Sequence, residues 1–211
     1  MELGHTVLQC LNAALSAVAF NPYTGDDEGS ATRRHNLSLY LKRMAERRPR
    51  LMLLGEAPGY RGCRVTGVPF TSEAILLTDD CPFGLFGTAV GFRGIGGRWQ
   101  RESSATAMRD ALSRMGTIPL LWNAYPYHPH QPDQPDSNRP PTAAELASGR
   151  EIVFLLLELF AIEQVIAVGN KAAIALERWG VRAAKVRHPA HGGQAIFRRE
   201  LEAVLSERAS S

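Results

Sequence analysis

The stretch LMLLGEAPGYRG, residues 51–62, decides the fold. It opens with four apolar residues and runs into a turn that holds a carboxylate, a proline and glycines. A short apolar run with such an exit is typical of a buried central strand rather than a buried helix. The prediction places Glu56 where this strand leaves the core, and a carboxylate at that point calls for a functional explanation.

Three more apolar runs have the same form. They are PLLWNAYP (residues 119–126), QVIAVGN (residues 164–170) and the weaker AAKVRHP (residues 183–189). Asn123 ends the first of these runs, Asn170 follows the second and His188 follows the third. Because ligands bind beyond the carboxyl ends of parallel strands, we expect these side chains to converge with Glu56 at one edge of a sheet.

Helical patterns alternate with the strand patterns. The predicted helices cover residues 3–18 and 37–44, SSATAMRDALSRMG (103–116), PTAAELASGREIVFLLLELF (141–160) and NKAAIALERWG (170–180). Thr142 and Glu145 stand in capping-box positions. This alternation predicts an α/β fold, a three-layer α/β/α arrangement around a mainly parallel four-stranded sheet. At 211 residues we expect one domain over residues 1–211.

Composition and charge exclude several classes of protein. A hydrophobic share of 45% and a charged share of 21% are ordinary for a globular protein, and no apolar run approaches the ~20 residues that span a membrane. Glu2 and His5 stand where a secretory signal carries Lys or Arg, so we expect a cytoplasmic protein. Cys10, Cys63 and Cys81 form no CxxC motif and predict free thiols. The net charge of +3 permits a polyanionic partner without requiring one.

Two irregular segments, residues 81–100 and 128–141, are predicted to be loops at the rim of the site. The sequence holds no P-loop, no GxSxG elbow and no complete GxGxxG motif. His128 and His130, like His188 and His191, flank a proline, and their spacing matches no standard helical ligand pattern. We therefore predict no metal site.

Four motifs, in order and in strand context, resemble the uracil-DNA glycosylase superfamily. They are GEAPG after the first strand, GVPF (residues 67–70), LLWNAYP and RHPAHGG (residues 187–193), and the resemblance covers residues 51–197. It implies an enzyme that flips uracil out of DNA and hydrolyses its N-glycosidic bond, leaving an abasic site, without metal or cofactor. The implied partner is uracil-containing DNA, single- or double-stranded; we expect a monomer that does not bind membranes.

Within the superfamily, the motifs are most similar to the GEAPG-type, iron–sulfur branch. That branch uses four cysteine ligands, whereas this chain has three scattered cysteines, so we expect no cluster. Ala57 stands where the best-known branch has its water-orienting aspartate, Gly59 where it has the tyrosine that excludes thymine, and Ala190 where the last motif has serine. These departures leave open an alternative: a binder of uracil-containing or abasic DNA that does not cut, or that traps the abasic site through His191 or His128.

The resemblance also implies residue roles. The catalytic set is Glu56, which orients water and stabilises the sugar cation, His188, which donates to O2 of the base, and Asn123, which binds the O4 and N3 edge. The substrate-binding set is Gly55, Ala57, Pro58, Phe70, Asn123 and Tyr60, with Phe70 stacking on the base and Tyr60 closing the side that Gly59 leaves open. The DNA-binding set is Gly169, Asn170, Lys171, His191, Gly192, Gly193, Gln194 and Arg198.

Two roles have several candidates. Asn170 or His128 holds the water if Glu56 only braces its loop. Gln194, Ile196 or Phe197 is expected to fill the place vacated by the flipped base, unless Ile196 and Phe197 are buried in a terminal helix.

Overall fold

The structure is a computed structural model that describes residues 2–12, 17–96 and 99–209. The strands are β1 (Ala19–Phe20), β2 (Leu51–Gly55), β3 (Leu120–Asn123), β4 (His128–Pro129), β5 (Gln164–Val168) and β6 (Ala183–Val186). The helices are α1 (Glu2–Cys10), α2 (Glu28–Arg47), α3 (Cys63–Thr66), α4 (Glu73–Leu76), α5 (Ser103–Leu112), α6 (Ala143–Ser148), α7 (Arg150–Leu159), α8 (Asn170–Arg178) and α9 (Gln194–Ala209). None of these helices is both long and apolar enough to span a bilayer.

The centre of the fold is a parallel sheet in the order β3-β2-β5-β6. Helices flank it, so the predicted three-layer α/β/α fold is confirmed. Every residue of β2 is buried, as a strand enclosed by two neighbours and two helical layers requires. The register pairs Gly55 of β2 with Asn123 of β3, so the ends of these two strands lie side by side.

The outer edge of β3 is closed by a side chain. The hydroxyl of Tyr40, on α2, accepts a hydrogen bond from the Leu121 N–H at 2.7 Å and donates one to the Leu121 carbonyl at 3.2 Å. Both groups of Leu121 would otherwise be a buried donor and acceptor without a partner, because β3 has no neighbour on that side within the four-stranded sheet. Tyr40 thus fixes the position of the strand that ends at Asn123.

The helix predicted over residues 141–160 is two helices. The capping box is confirmed: Thr142 and Glu145 exchange hydrogen bonds between side chain and backbone at the start of α6. The chain then breaks at Gly149 before α7 begins. A β-carbon at Gly149 would overlap the carbonyl oxygen of Ala124, so close packing against the end of β3 interrupts the pattern.

The helix predicted over residues 3–18 ends at Cys10, and the described residues 11–12 and 17–18 are not helical. The Leu11 carbonyl accepts a hydrogen bond from the Asn21 side chain at 2.7 Å, and β1 pairs antiparallel with β4. Tertiary pairing therefore overrides the helical spacing of the apolar residues. Two of the residues on which that prediction rested, Ala14 and Leu15, lie outside the described residues. By contrast, α2 is longer than the predicted residues 37–44.

Candidate functional site

A cavity of about 510 Å³ opens at the carboxyl ends of β2 and β3. The predicted site residues that line it are Glu56, Ala57, Pro58, Phe70, Asn123, His188 and His191. These residues come from three separate strand exits and from the loop before Phe70, so the topology of the sheet brings them together. Their chemical roles stay predictions.

Glu56 leaves β2 at the floor of this cavity. The turn is bonded to the end of β3, because the carbonyls of Gly55 and Glu56 accept hydrogen bonds from the N–H groups of Ala124 and Tyr125 at 2.8 and 3.0 Å. Burial raises the pKa of the Glu56 carboxyl, and the nearby ammonium of Lys171 partly opposes this shift. Glu56 is therefore a half-buried carboxyl with a cation near it.

Phe70 is held in a conformation that phenylalanine rarely adopts. Its φ is 55°, in the left-handed region, where a residue other than glycine costs about 1–3 kcal/mol. The hydroxyls of Thr66 and Thr71 hydrogen-bond each other at 2.7 Å, and that of Thr71 also donates to the Val68 carbonyl at 2.7 Å. This buried network stabilises the turn that directs the ring toward the end of β2.

Asn123 presents a carboxamide that has no hydrogen-bond partner among the described residues, although the residue is only 4% exposed. A β-carbon at Gly55 would lie 2.7 Å from Asn123 Oδ1 and would also overlap the ring of Phe70. Gly55 therefore lets the ring and the amide approach the same point. The result is a buried amide that borders a cavity with its donor and acceptor unused.

His188 has a defined tautomer. Its Nδ1 accepts a hydrogen bond from the Ala190 N–H at 3.1 Å, so the proton of the neutral ring is on Nε2. Burial lowers the pKa of His188, and the nearby His191 and Arg187 lower it further. The ring is thus neutral at pH 7, and its Nε2–H has no acceptor within the described part of the chain.

Several other predicted site residues lie away from the cavity lining. Gly169, Asn170 and Lys171 form the start of α8, and Gly192, Gly193, Gln194 and Arg198 belong to the last loop and α9. Tyr60 does not line the cavity either. The Arg61 guanidinium lies 5.0 Å from the centre of the Tyr60 ring. The tyrosine backbone N–H donates to Asn138 at 3.0 Å.

Two further candidates are decided by burial. Phe197 is fully buried and cannot enter a duplex, whereas Ile196 beside it is 41% exposed. His128 is fully buried, and its two ring nitrogens lie 2.7 and 3.3 Å from the carbonyls of Pro58 and Pro135. Phe197 is therefore not free to fill the place of a flipped base, because it is packed in the core. His128 is not free to hold water, because both of its ring nitrogens lie against backbone carbonyls.

Comparison with known families agrees with this geometry. The family model described as the Uracil DNA glycosylase superfamily matches residues 42–204. The chain belongs to this superfamily. A search of curated proteins gives no match.

Among solved structures, the crystal structure of wild-type SMUG2 from Pedobacter heparinus is similar to this member of the superfamily. The TM-score is 0.69 at 13% sequence identity, and the match covers 100% of both chains. At that identity the likeness supports the fold alone.

Within the described residues, no group of three or more His, Cys, Asp or Glu side chains is arranged to hold a metal ion.

The most important cavity residue that the sequence did not reveal is Glu102. Burial raises the pKa of its carboxyl to about 7, and no other residue contributes to that shift. In the sequence it directly precedes a predicted helix, where an acidic residue is ordinary because it faces the positive end of the helix dipole. Asn138, Arg139 and Arg187 also line the cavity and were not predicted.

Proposed function

We propose that this protein is a DNA glycosylase that flips uracil out of DNA, hydrolyses its N-glycosidic bond and leaves an abasic site. The observation that carries the proposal is the meeting of Phe70, Asn123 and His188 at one cavity beside Glu56. The volume of about 510 Å³ falls within the range of roughly 300–1,000 Å³ that is usual for small-molecule sites. Membership of the uracil-DNA glycosylase superfamily supports the same activity.

Recognition of the base uses a ring face and an amide. Extruding a nucleotide from a duplex costs a few kcal/mol, which contacts in the pocket must offset. The Phe70 ring supplies a stacking face, and the Asn123 amide matches the O4 acceptor and N3–H donor of uracil with its own donor and acceptor. Because that amide has no competing partner among the described residues, it does not have to break a protein hydrogen bond when the base enters.

Cleavage breaks the bond between C1′ of the sugar and N1 of the base. The bonding electron pair stays on the base, where negative charge develops at O2, and the sugar becomes cationic. The Nε2–H of neutral His188 donates to O2, and losing such a donor typically costs about 3 kcal/mol of barrier. Water then forms a bond to C1′ and gives up a proton, which Glu56 accepts. The raised pKa of Glu56 makes it a better base than an exposed glutamate.

The DNA backbone is held by basic residues around the cavity. Arg187 lines the cavity, and Lys171 lies close enough to Glu56 to affect its pKa. Backbone N–H groups at the start of α8, near Gly169 and Asn170, and the exposed Arg198 complete the phosphate contacts. Binding is therefore expected to weaken steeply as salt concentration rises.

The test is base release from uracil-containing oligonucleotides, single- and double-stranded, in buffer with EDTA. Free uracil is measured by chromatography and abasic sites by strand scission in alkali. Asn123→Ala and His188→Ala are each expected to reduce the rate by about 10²- to 10³-fold, while His5→Ala, an exposed histidine on α1, serves as the matched control. Absence of released uracil at high enzyme concentration would contradict the proposal.

One observation favours a second candidate function, a covalent trap for the abasic site. His191, whose φ is 52°, lines the same cavity as Ala57, and Ala57 carries no acid that could orient water. In this reaction a ring nitrogen of His191 bonds to C1′ in place of water, the C1′–N1 bond breaks with its electron pair on the base, and the imidazole then releases its ring proton to solvent. A protein–DNA adduct that survives denaturing electrophoresis, and that His191→Ala abolishes, would favour this function over hydrolysis.

A further inference from the structure

Glu102 forms part of the cavity wall beside the first motif. Its two carboxyl oxygens lie so close to Gly59 and Gly62 that a β-carbon on either glycine would overlap them. The carboxyl therefore fills the space that a side chain at position 59 would take. Since Phe70 and Asn123 meet at Gly55 instead, Glu102 belongs to a different part of the wall.

The backbone holds Glu102 firmly in place. Its carbonyl accepts hydrogen bonds from the N–H and the hydroxyl of Thr106, both at 3.1 Å, at the start of α5. Two residues earlier, the Gln100 N–H donates a hydrogen bond to the Glu73 carboxylate at 3.4 Å. The Gln100 carbonyl accepts one from the Ala74 N–H at 3.2 Å. These bonds fix the backbone on both sides of Glu102, from which its side chain reaches the cavity.

The carboxyl of Glu102 has no hydrogen-bond or ion-pair partner within residues 2–12, 17–96 and 99–209. Burial without a partner is unfavourable for a carboxyl, and accordingly its pKa is raised to about 7. Because Glu102 lines the cavity, a ligand that binds there would lie against its carboxyl.

The edges of a bound uracil limit what Glu102 can face. In the proposed function, His188 donates a hydrogen bond to O2, Asn123 hydrogen-bonds to N3 and O4, and N1 is bonded to the sugar. The C5–C6 edge is then the one that remains for another part of the wall. A substituent on C5 would need the space that the Glu102 carboxyl occupies beside Gly59.

We propose that Glu102 is a specificity-determining residue that closes the base pocket at the C5 edge and excludes 5-methylpyrimidines such as thymine. The inference rests on the proposed function, because that function orients the base in the pocket. The carboxyl acts by its size and position, so an amide of the same shape fulfils the same role.

The first experiment measures single-turnover release of uracil and of 5-bromouracil from otherwise identical oligonucleotides. Glu102→Ala is expected to lower the preference for uracil over 5-bromouracil by at least about 10-fold, the usual effect of one methyl-sized group in a pocket. Glu102→Gln is expected to keep the preference. Asp110→Ala, which changes an exposed residue of α5, the helix that follows Glu102, is the matched control. An unchanged preference in Glu102→Ala would overturn the proposal.

The second experiment needs no catalysis. It measures binding of oligonucleotides that carry 2′-fluoro-2′-deoxyuridine or its 5-methyl form, whose glycosidic bonds resist cleavage. Wild type is expected to bind the 5-methyl form at least about 10-fold more weakly than the unmethylated form, and Glu102→Ala to remove most of that difference. If wild type releases no uracil but shows this discrimination, the proposed hydrolysis is refuted and the proposed role of Glu102 is supported. If wild type binds both forms equally, the proposed role of Glu102 is refuted.

The third experiment tests the contact itself through thermal stability. Gly59→Ala is expected to lower Tm more in wild type than in Glu102→Ala, because in wild type the new methyl group must displace the end of the Glu102 side chain. Equal losses in the two backgrounds would mean that Glu102 does not occupy the space beside position 59. That result would refute the proposal even if the variants changed activity.

Discussion

Glu102 makes the stability of the protein depend on pH in a range where exposed carboxyls no longer titrate. Burial raises its pKa from the ordinary 4.5 to about 7. Between these values the folded state keeps a proton that the unfolded state has lost, so stability falls as pH rises toward 7. One pKa unit is worth about 1.36 kcal/mol, so ionised Glu102 destabilises the folded state by at most about 3 kcal/mol above pH 7.

Glu102→Gln keeps the shape of the side chain and removes its titration. The free energy of unfolding of this variant, minus that of wild type, is expected to stay constant below pH 4.5 and to increase up to about pH 7. It should then level off, after a total rise of at most about 3 kcal/mol. The nearby Cys63 does not titrate in this range, because burial raises the pKa of its thiol to about 12.

The assay is urea unfolding at several pH values between 4 and 8.5 and at one ionic strength, followed by circular dichroism. Other titrating groups are shared by the two proteins and cancel in the difference. Glu177→Gln, which changes an exposed glutamate on α8, is the control. A difference between Glu102→Gln and wild type that is independent of pH would refute the assignment of a desolvated carboxyl.

Three further predictions concern other parts of the molecule. Base release is expected to fall as pH drops through the lowered pKa of His188, because the added proton on Nδ1 would face the Ala190 N–H and break the hydrogen bond that orients the ring; the pH–rate profile measures this. Tyr40→Phe should reduce the free energy of unfolding by about 1–3 kcal/mol in urea, because it leaves a buried donor and acceptor of β3 unpaired. Arg139 lowers the pKa of Glu145 to about 2, so Glu145→Gln should cost about 1–2 kcal/mol at neutral pH after solvent screening. The advantage of wild type at this pair is present above pH 4.5 and should disappear as pH falls toward 2, which thermal unfolding at pH 3 and 7 checks.

The sheet and its polar exits could be predicted because their signals are local. Each strand is a short apolar run with a glycine, proline or polar residue at its end, and parallel pairing then forces the ends together. Glu56, Asn123 and His188 therefore converge for reasons that are visible in the sequence. The structure adds the strand order β3-β2-β5-β6, which decides which of these strand ends lie next to each other.

The remaining features depend on contacts between distant segments. Glu102 enters the cavity because Gln100 is bonded to Glu73 and Ala74, and no pattern in the sequence indicates that pairing. Tyr40 reads as an ordinary apolar position of a helix, although its hydroxyl closes the edge of β3. The break at Gly149 likewise follows from the carbonyl of Ala124, which is remote along the chain.

Three residues that each carry an energetic cost in the folded protein border one cavity, and they come from different parts of the chain. Phe70 adopts a left-handed backbone, Asn123 keeps a buried amide without a partner among the described residues, and Glu102 keeps a partly buried carboxyl. Each typically costs about 1–3 kcal/mol, which is a large share of a total stability of about 5–15 kcal/mol. In the proposed function, a flipped pyrimidine offers a face for the ring, a donor and acceptor for the amide, and a C5–C6 edge that packs against the carboxyl. The stability that the rest of the fold provides is therefore used to keep a site ready for a ligand with those three features.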